Sequence, residues 1–154
     1  MTSRIIDLRA DPFTTNQRRA WEAFLSAGAK VSGALESELS EVSNLSLGEY
    51  LVLSQLYHSE GSMRMSQLAE NVNTSRSGLT RRVDRLAQQG YVERTSVEED
   101  KRGAQAVITN AGSDALVEIM PHYSKSVRSR FLDVLSDEQL DALASSLEAI
   151  AATG

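Results

Sequence analysis

The sequence predicts a mainly α-helical chain that carries one small β-hairpin in its second half. Apolar residues recur at three- and four-residue steps over most of the 154 residues, which is the spacing of helices with one buried face. Only 2 prolines and 9 glycines interrupt the chain. The exception is the stretch 91–108, where two β-prone segments flank a charged turn. A chain of this length can bury a sizeable core, so we treat 1–154 as a single domain.

Composition excludes several classes of protein. Because there is no cysteine, the chain has no disulfide framework, no thiolate metal site and no thiol redox switch. No run of residues approaches the roughly 18–20 apolar positions of a membrane span. The first residues, MTSRIIDLRADPF, lack the apolar core of a secretion signal. We therefore expect a soluble, cytoplasmic protein with no membrane partner.

The first two helices are predicted from an apolar stripe and a capping signal. The stripe of the first helix consists of Trp21, Phe24, Leu25, Val31, Leu35, Leu39 and Val42. The second helix begins after Ser46, because Ser46 and Glu49 are spaced to satisfy each other's backbone N–H groups in a capping box. This helix carries Leu53 and Leu56 and is expected to end near Gly61.

A short helix, a tight turn and another helix are predicted between residues 66 and 90. Ser66 and Ser75 are placed to cap the two helices. Asn73, which lies between them, tolerates the left-handed backbone conformation of a tight turn. Gly90 is the residue type preferred just past a helix C-terminus. The segment is therefore predicted to be a helix-turn-helix.

The remaining chain is predicted to form two strands and two helices. The strands run from Tyr91 to Thr95 and from Ala104 to Ile108. The first of the two helices contains Pro121, which is expected to kink or break it. The second begins with a capping box at Ser136.

The helices predicted at both chain ends carry more apolar surface than the core of one chain of this size can cover. The remaining apolar surface predicts an interface between helices of two copies, and so a homodimer. We assign 46–110 to a winged helix-turn-helix lobe, with the hairpin as the wing. The ranges 14–44 and 111–151 are assigned to N- and C-terminal dimerisation helices.

The distribution of charge predicts a surface for nucleic acid. The net charge is −5, yet residues 75–94 hold five arginines against two acidic residues, a local charge of +3 on a body of −8. On the fourth helix Leu79, Val83 and Leu86 form the buried stripe. The candidate contacts to duplex DNA lie at the helix start and away from that stripe, namely Ser75, Arg76, Ser77, Thr80, Arg81 and Arg85.

Five segments together resemble the MarR family of transcription regulators. They are L-x-L-x-E-Y-x-V-L from Leu45, L-A-E-x-V from Leu68, S-R-S-G-L-T-R-R-V-D-R-L from Ser75, G-Y-V-E-R from Gly90 and E-D-K-R-G from Glu99. The resemblance implies a ligand-responsive regulator, a repressor that binds a palindromic operator as a homodimer. It also implies a wing whose tip, formed by Asp100, Lys101 and Arg102, reaches the minor groove or the adjacent DNA backbone.

The same resemblance implies a small aromatic or phenolic effector, bound between the dimerisation helices and the DNA-binding lobe. No other cofactor is expected. The candidate lining residues offer cationic, aromatic or hydrogen-bonding groups on the first two helices, and they are Arg18, Arg19, Trp21, Tyr50, Tyr57 and His58.

Two alternative functions stay open at the level of the sequence. His58, His122 and scattered carboxylates could bind zinc across a dimer, which would make a metal-responsive regulator. Arg81 and Arg85 could instead bind an acidic protein in a helical interaction module. An enzyme is not expected, because neither histidine lies in a metal or nucleophile motif and no serine lies in a G-x-S-x-G segment.

Overall fold

The computed structural model describes residues 12–96 and 104–153. In these ranges the elements are α1 Thr15–Val42, α2 Leu47–His58, β1 Ser62–Arg64, α3 Met65–Asn71, α4 Arg76–Gln88, β2 Val92–Ser96, β3 Ala104–Ile108, α5 Asn110–Val127, a π-helical turn Arg128–Leu132, and α6 Asp137–Ala151. The predicted fold class is confirmed: a mainly helical chain with a small β wing, built as a winged helix-turn-helix between terminal helices.

The starts of the helices follow from hydroxyl side chains. Five helices begin at a residue whose hydroxyl accepts a backbone N–H, and these residues are Thr14, Ser46, Ser75, Thr109 and Ser136. The caps predicted at Ser46, Ser75 and Ser136 are therefore confirmed. The cap predicted at Ser66 is wrong, because α3 already begins at Met65 and no side chain caps it.

Two turn residues adopt the predicted left-handed conformation, and one predicted break does not occur. Asn73 has φ 48° and Gly90 has φ 77°. Pro121 lies inside α5, which continues without interruption to Val127. A proline removes one helical hydrogen bond, and the packing of α5 against α1 and α2 offsets that loss. The regular helix ends six residues later, where the chain enters the π-helical turn.

The wing is part of a three-stranded antiparallel sheet with the strand order β1-β3-β2. Val92 of β2 lies opposite Ile108 of β3, as a hairpin requires. The third strand, β1, pairs with the other edge of β3 and sets Ser62 opposite Val107. The sequence predicted only the hairpin, so β1 enlarges the sheet and connects α2 to the wing.

The core lies among α2, α3, α4, the sheet and α5. Its fully buried large side chains include Leu53, Leu56, Leu68, Leu79, Leu86 and Leu116. Tyr50 of α2 packs against Tyr123 of α5, with ring centroids 4.3 Å apart. Burial, and to a lesser degree the neighbouring Tyr123, raises the pKa of Tyr50 to about 12. This contact joins the helix-turn-helix lobe to α5.

The first half of α1 and the whole of α6 are not covered within one chain. Every residue from 15 to 30 is exposed, including Trp21, Phe24 and Leu25, which are each about half exposed. None of the residues of α6 is buried. Among the described residues, no helix is both long and apolar enough to cross a membrane.

Gly112 occupies a site in α5 where a side chain does not fit. A Cβ atom at Gly112 would lie 2.2 Å from the carbonyl oxygen of Tyr91 and 3.0 Å from Ile108. That carbonyl is fixed, because it accepts the N–H of Thr109 at 3.0 Å. We expect Gly112→Ala to lower the free energy of unfolding by about 1–3 kcal/mol through overpacking, which thermal unfolding measures as a lower Tm.

The matched control is Gly33→Ala in α1, where a Cβ atom has no neighbour within 4 Å. Alanine there favours the helix by about 1 kcal/mol over glycine, so Tm is expected to rise. Equal changes of Tm in the two variants would contradict the close contact at Gly112.

Candidate DNA-binding surface

α4 is the second helix of the helix-turn-helix, and it turns one side away from the core. Leu79, Val83 and Leu86 are buried, which confirms the predicted stripe. Ser77 and Arg81 lie on the opposite side and are exposed. The helix is therefore anchored on one side and accessible on the other.

The N-terminus of α4 is accessible and is lined by small side chains. The Ser75 hydroxyl accepts the N–H of Gly78 at 3.1 Å and lies 3.3 Å from the Ser77 hydroxyl. A Cβ atom at Gly78 would lie 2.8 Å from the Thr74 hydroxyl, so glycine allows the turn to pack closely against the cap. A helix start with short side chains, where the first N–H groups have no carbonyl partner within the helix, suits the close approach of a phosphate.

Arg76 and Arg81 carry positive charge that no acidic side chain among the described residues neutralises. Both are exposed, and neither forms an ion pair within residues 12–96 and 104–153. Thr80 differs, because it is half-buried and its hydroxyl donates to the Arg76 carbonyl at 3.0 Å. Of these three predicted contacts, the two arginines are free to bind a base edge or a phosphate.

The other two arginines of α4 face the first turn of α2. Arg85 forms an ion pair with Glu49 at an Nε–Oε1 distance of 3.1 Å, while its own side chain stays 63% exposed. The guanidinium of Arg82 packs against Gly48 in the same turn of α2. A Cβ atom at Gly48 would lie only 2.7 Å from the guanidinium carbon of Arg82. Sequence reasoning identified Glu49 only as a capping residue and missed its contact with α4.

A further ion pair connects the wing to α4. Arg94 Nη1 of β2 donates to Asp84 Oδ1 at 2.9 Å. The sequence shows both charges, but their spacing along the chain does not reveal that the turn at Gly90 brings them together. The predicted contacts of the wing tip, Asp100, Lys101 and Arg102, lie outside the described residues and stay predictions.

Three of the six candidate effector residues lie on the exposed first half of α1. They are Arg18, Arg19 and Trp21. Trp21 stacks on Phe24 with ring centroids 6.0 Å apart. With a rise of about 1.5 Å per residue, Trp21 is roughly 20 Å along α1 from Leu35, which is the first buried residue of the helix. Within one chain these side chains therefore do not reach the core.

The other three candidates lie on α2 in two environments. Tyr50 is buried against Tyr123. Tyr57 and His58 are exposed at the end of the helix, where their rings meet edge to face at 5.6 Å. Nδ1 of His58 lies 2.7 Å from the Ser54 carbonyl oxygen. The structure thus does not bring the six residues together in one chain.

A cleft of about 290 Å³ lies between α1 and α5 and contains none of the six candidates. Leu35, Leu39 and Tyr123 form its apolar part, and Glu38 lies at its edge. The Ser126 hydroxyl beside Glu38 and the ion pair with Arg130 hold the pKa of the Glu38 carboxyl below its usual value. The cleft is large enough for a small ligand, and no spacing in the sequence indicated it.

Comparison with solved structures places the chain among known proteins. AbsC, a MarR family transcriptional regulator from Streptomyces coelicolor, is 33% identical, with a TM-score of 0.88 and with 94% of this chain and 97% of that chain covered. Sco3205, a MarR family transcriptional regulator from the same organism, was solved in complex with DNA. It is 27% identical, with a TM-score of 0.88 and coverage of 94% and 91%.

Comparison of sequences alone gives shorter matches. The HTH-type transcriptional repressor MdtR of Bacillus subtilis is 27% identical over 103 residues, which are 67% of this chain and 65% of MdtR. The match thus spans less than two thirds of that relative. The model of the MarR family matches residues 45–103, from the approach to α2 to the residue before β3. With this match, the shared fold and an identity of 33% over nearly all of AbsC, the chain belongs to the MarR family.

Proposed function

We propose that this protein is a DNA-binding transcription regulator that represses its target from a palindromic operator and releases it in response to a ligand. The observation that carries the proposal is the accessible side of α4, where Arg76 and Arg81 have no ion-pair partner among the described residues. A helix of this kind fits the major groove, and arginine binds guanine through two hydrogen bonds. Sco3205, solved with DNA, and MdtR, named a repressor, support it.

Selection of duplexes from a random pool, followed by binding at several salt concentrations, tests this function. We expect an imperfect palindrome with half-sites about 10 base pairs apart. Affinity is expected to fall steeply with salt, because bound arginines release counterions from phosphate. A protein that enriches no sequence and binds no duplex would contradict the proposal.

Arg81→Ala separates contact with a base from contact with a phosphate. If Arg81 contacts a base edge, its loss costs about 1–3 kcal/mol on the selected duplex and relaxes the preference at one position of each half-site. Arg128→Ala removes an equal charge from the π-helical turn and is expected to bind like the wild type. A loss that is uniform across sequences would identify Arg81 as a phosphate contact instead.

We also propose that the protein is a homodimer in which α1 and α6 of two copies cover each other. Trp21, Phe24 and Leu25 are each about half exposed, and Val134 and Ile150 are more than 60% exposed. Trp21, Phe24 and Leu25 lie on one side of α1, and exposed apolar surface of this kind marks an interface. A two-fold dimer would present two copies of α4 to successive major grooves, which a palindromic operator requires.

Leu25→Glu tests the dimer, because it places a charge on the apolar side of α1. We expect it to produce a monomer in sedimentation velocity at micromolar concentration and to lose operator binding. The control is Ala23→Glu, which adds the same charge about 160° around the helix at another exposed position. A wild-type monomer, or equal disruption by both variants, would contradict the proposed interface.

We propose further that a small aromatic or phenolic effector weakens DNA binding. The support is chemical: α1 offers Arg18, Arg19 and Trp21, and α2 offers Tyr57 and His58, all exposed. These groups are apart in one chain, so a shared site needs a second copy. Trp21 is the only tryptophan, and titration with hydroxybenzoates and chlorophenols is expected to change its fluorescence and to release the operator at the same concentrations. A change of fluorescence with DNA binding unaffected would contradict the regulatory role.

The two alternative functions have less support. No group of three or more histidine, aspartate or glutamate side chains within the described ranges is arranged to hold a metal ion. Of the two arginines considered for an acidic protein partner, Arg85 is already paired with Glu49. The named relatives are transcription regulators.

A further inference from the structure

Glu49 is a buried carboxylate whose two oxygens serve different helices. Its side chain is 1% exposed. Oε2 accepts the backbone N–H and the hydroxyl of Ser46, both at 2.8 Å, and so completes the capping box of α2. Oε1 lies 3.1 Å from Nε of Arg85 on α4. One side chain thus caps one helix and contacts another.

The capping box does not explain why this residue is charged. A glutamine serves equally well at this position of a capping box, and the boxes that begin α1 and α6 use Gln17 and Gln139. Those two glutamines are exposed, whereas Glu49 is buried. Burying a carboxylate costs free energy unless the charge is paired. The positive N-terminus of α2 favours a negative charge at Glu49, and Arg85 supplies the partner that burial of this charge requires.

The guanidinium of Arg85 is bound to Glu49 at one edge and is accessible to solvent at the other. Its Nε faces Glu49, yet the side chain is 63% exposed, and it has no second ion-pair partner in the part of the chain that the structure describes. It follows Arg81 by one helical turn on the accessible side of α4. Turning the guanidinium fully outward to meet a base would break its pairing with a buried carboxylate. The terminal N–H groups can meet a DNA phosphate without that cost.

We infer that Glu49 is a positioning residue that orients Arg85 as a contact to a DNA phosphate. The inference rests on the proposed function, since it needs α4 to lie against a duplex. The sequence predicted both Arg81 and Arg85 as contacts to DNA, and the structure places them in different surroundings. Arg81 is free to extend, whereas Arg85 is fixed relative to α2.

Four variants of the full chain test the inference: Glu49→Gln, Arg85→Gln, the double variant, and Asp84→Asn. Glu49→Gln keeps an acceptor oxygen for the capping box, removes the charge, and replaces the oxygen that faces Arg85 by an NH2 group. Asp84→Asn is the control, because it removes a carboxylate from another ion pair of α4. The probe is a 30-base-pair duplex of mixed sequence, since a phosphate contact acts on any sequence. Binding is measured at several salt concentrations, with Tm as the control for folding.

We expect Arg85→Gln to weaken binding and to make the slope of log K against log salt shallower by about one for each phosphate that the variant no longer binds. Glu49→Gln is expected to weaken binding by about three- to tenfold with the slope unchanged, because the charge of Arg85 remains while its orientation is no longer fixed. The double variant is expected to bind no more weakly than Arg85→Gln. Asp84→Asn is expected to bind as tightly as the wild type or more tightly.

Wild-type or tighter binding by folded Glu49→Gln would overturn the inference, as would effects that add in the double variant. If Glu49→Gln is unfolded, Arg85→Lys is used as the test instead. Lysine keeps the positive charge, but it lacks the planar guanidinium that can bind Glu49 at one edge and a phosphate at the other. Wild-type binding by Arg85→Lys would then overturn the inference. A wild-type protein that binds no duplex would instead contradict the proposed function.

Discussion

Three helices of this protein are joined at the first turn of α2. The backbone N–H groups of this turn have no carbonyl partners within the helix, so side chains must accept them. The N–H of Leu47 donates to Glu36 of α1 at 2.8 Å. The N–H of Ser46 donates to Glu49 of the same turn, and Glu49 also pairs with Arg85 of α4. Carboxylates are favourable here because a helix N-terminus is positive. This turn of helix therefore connects α4 to α1 through polar contacts, in addition to the apolar core that anchors α4.

A second set of polar contacts lies between the end of α4 and the start of α5. The Thr109 hydroxyl donates to the Gly90 carbonyl at 2.7 Å and accepts the N–H of Gly112 at 3.0 Å. One hydroxyl thus connects the turn after α4 to the start of α5. The Tyr50–Tyr123 contact lies between the two ends and adds apolar packing. These contacts join α5 to α2 and to the turn after α4, and the effector proposed above would need such a connection to act on α4.

The parts of the fold that were predictable from the sequence are those that depend on neighbouring residues. A hydroxyl before a helix, an asparagine in a tight turn and an apolar stripe on α4 have local causes, so Ser46, Asn73 and Leu79 were placed correctly. The break expected at Pro121 did not occur, because packing by distant helices outweighs a local preference. The pairing of β1 with β3 was not visible either, since a strand of three residues carries little pattern.

In the candidate site, too, the features that depend on neighbouring residues were predictable and those that depend on distant residues were not. Spacing alone showed that Ser77 and Arg81 are accessible, because both lie opposite the buried stripe of one helix. It could not show that Arg85 is bound to Glu49, since this pair joins two helices that are far apart in sequence. The candidate effector residues do not form one site in a single chain, and this too depends on distances between helices that the sequence does not show. Shared chemistry placed them in one group, whereas the length of α1 separates Trp21 from Tyr50 in a single chain.

The charge distribution gives this acidic protein one basic surface. The chain carries −5 overall, and the arginines of 75–94 oppose a body of −8. A polyanion is repelled by most of such a surface and attracted to one side of it, so charge selects an orientation before any base is contacted. Within that side, Glu49 and Asp84 neutralise part of the charge of Arg85 and Arg94. The pair with Glu49 also holds the Arg85 guanidinium against α2, so the positive charge that remains on this side is presented in a fixed direction.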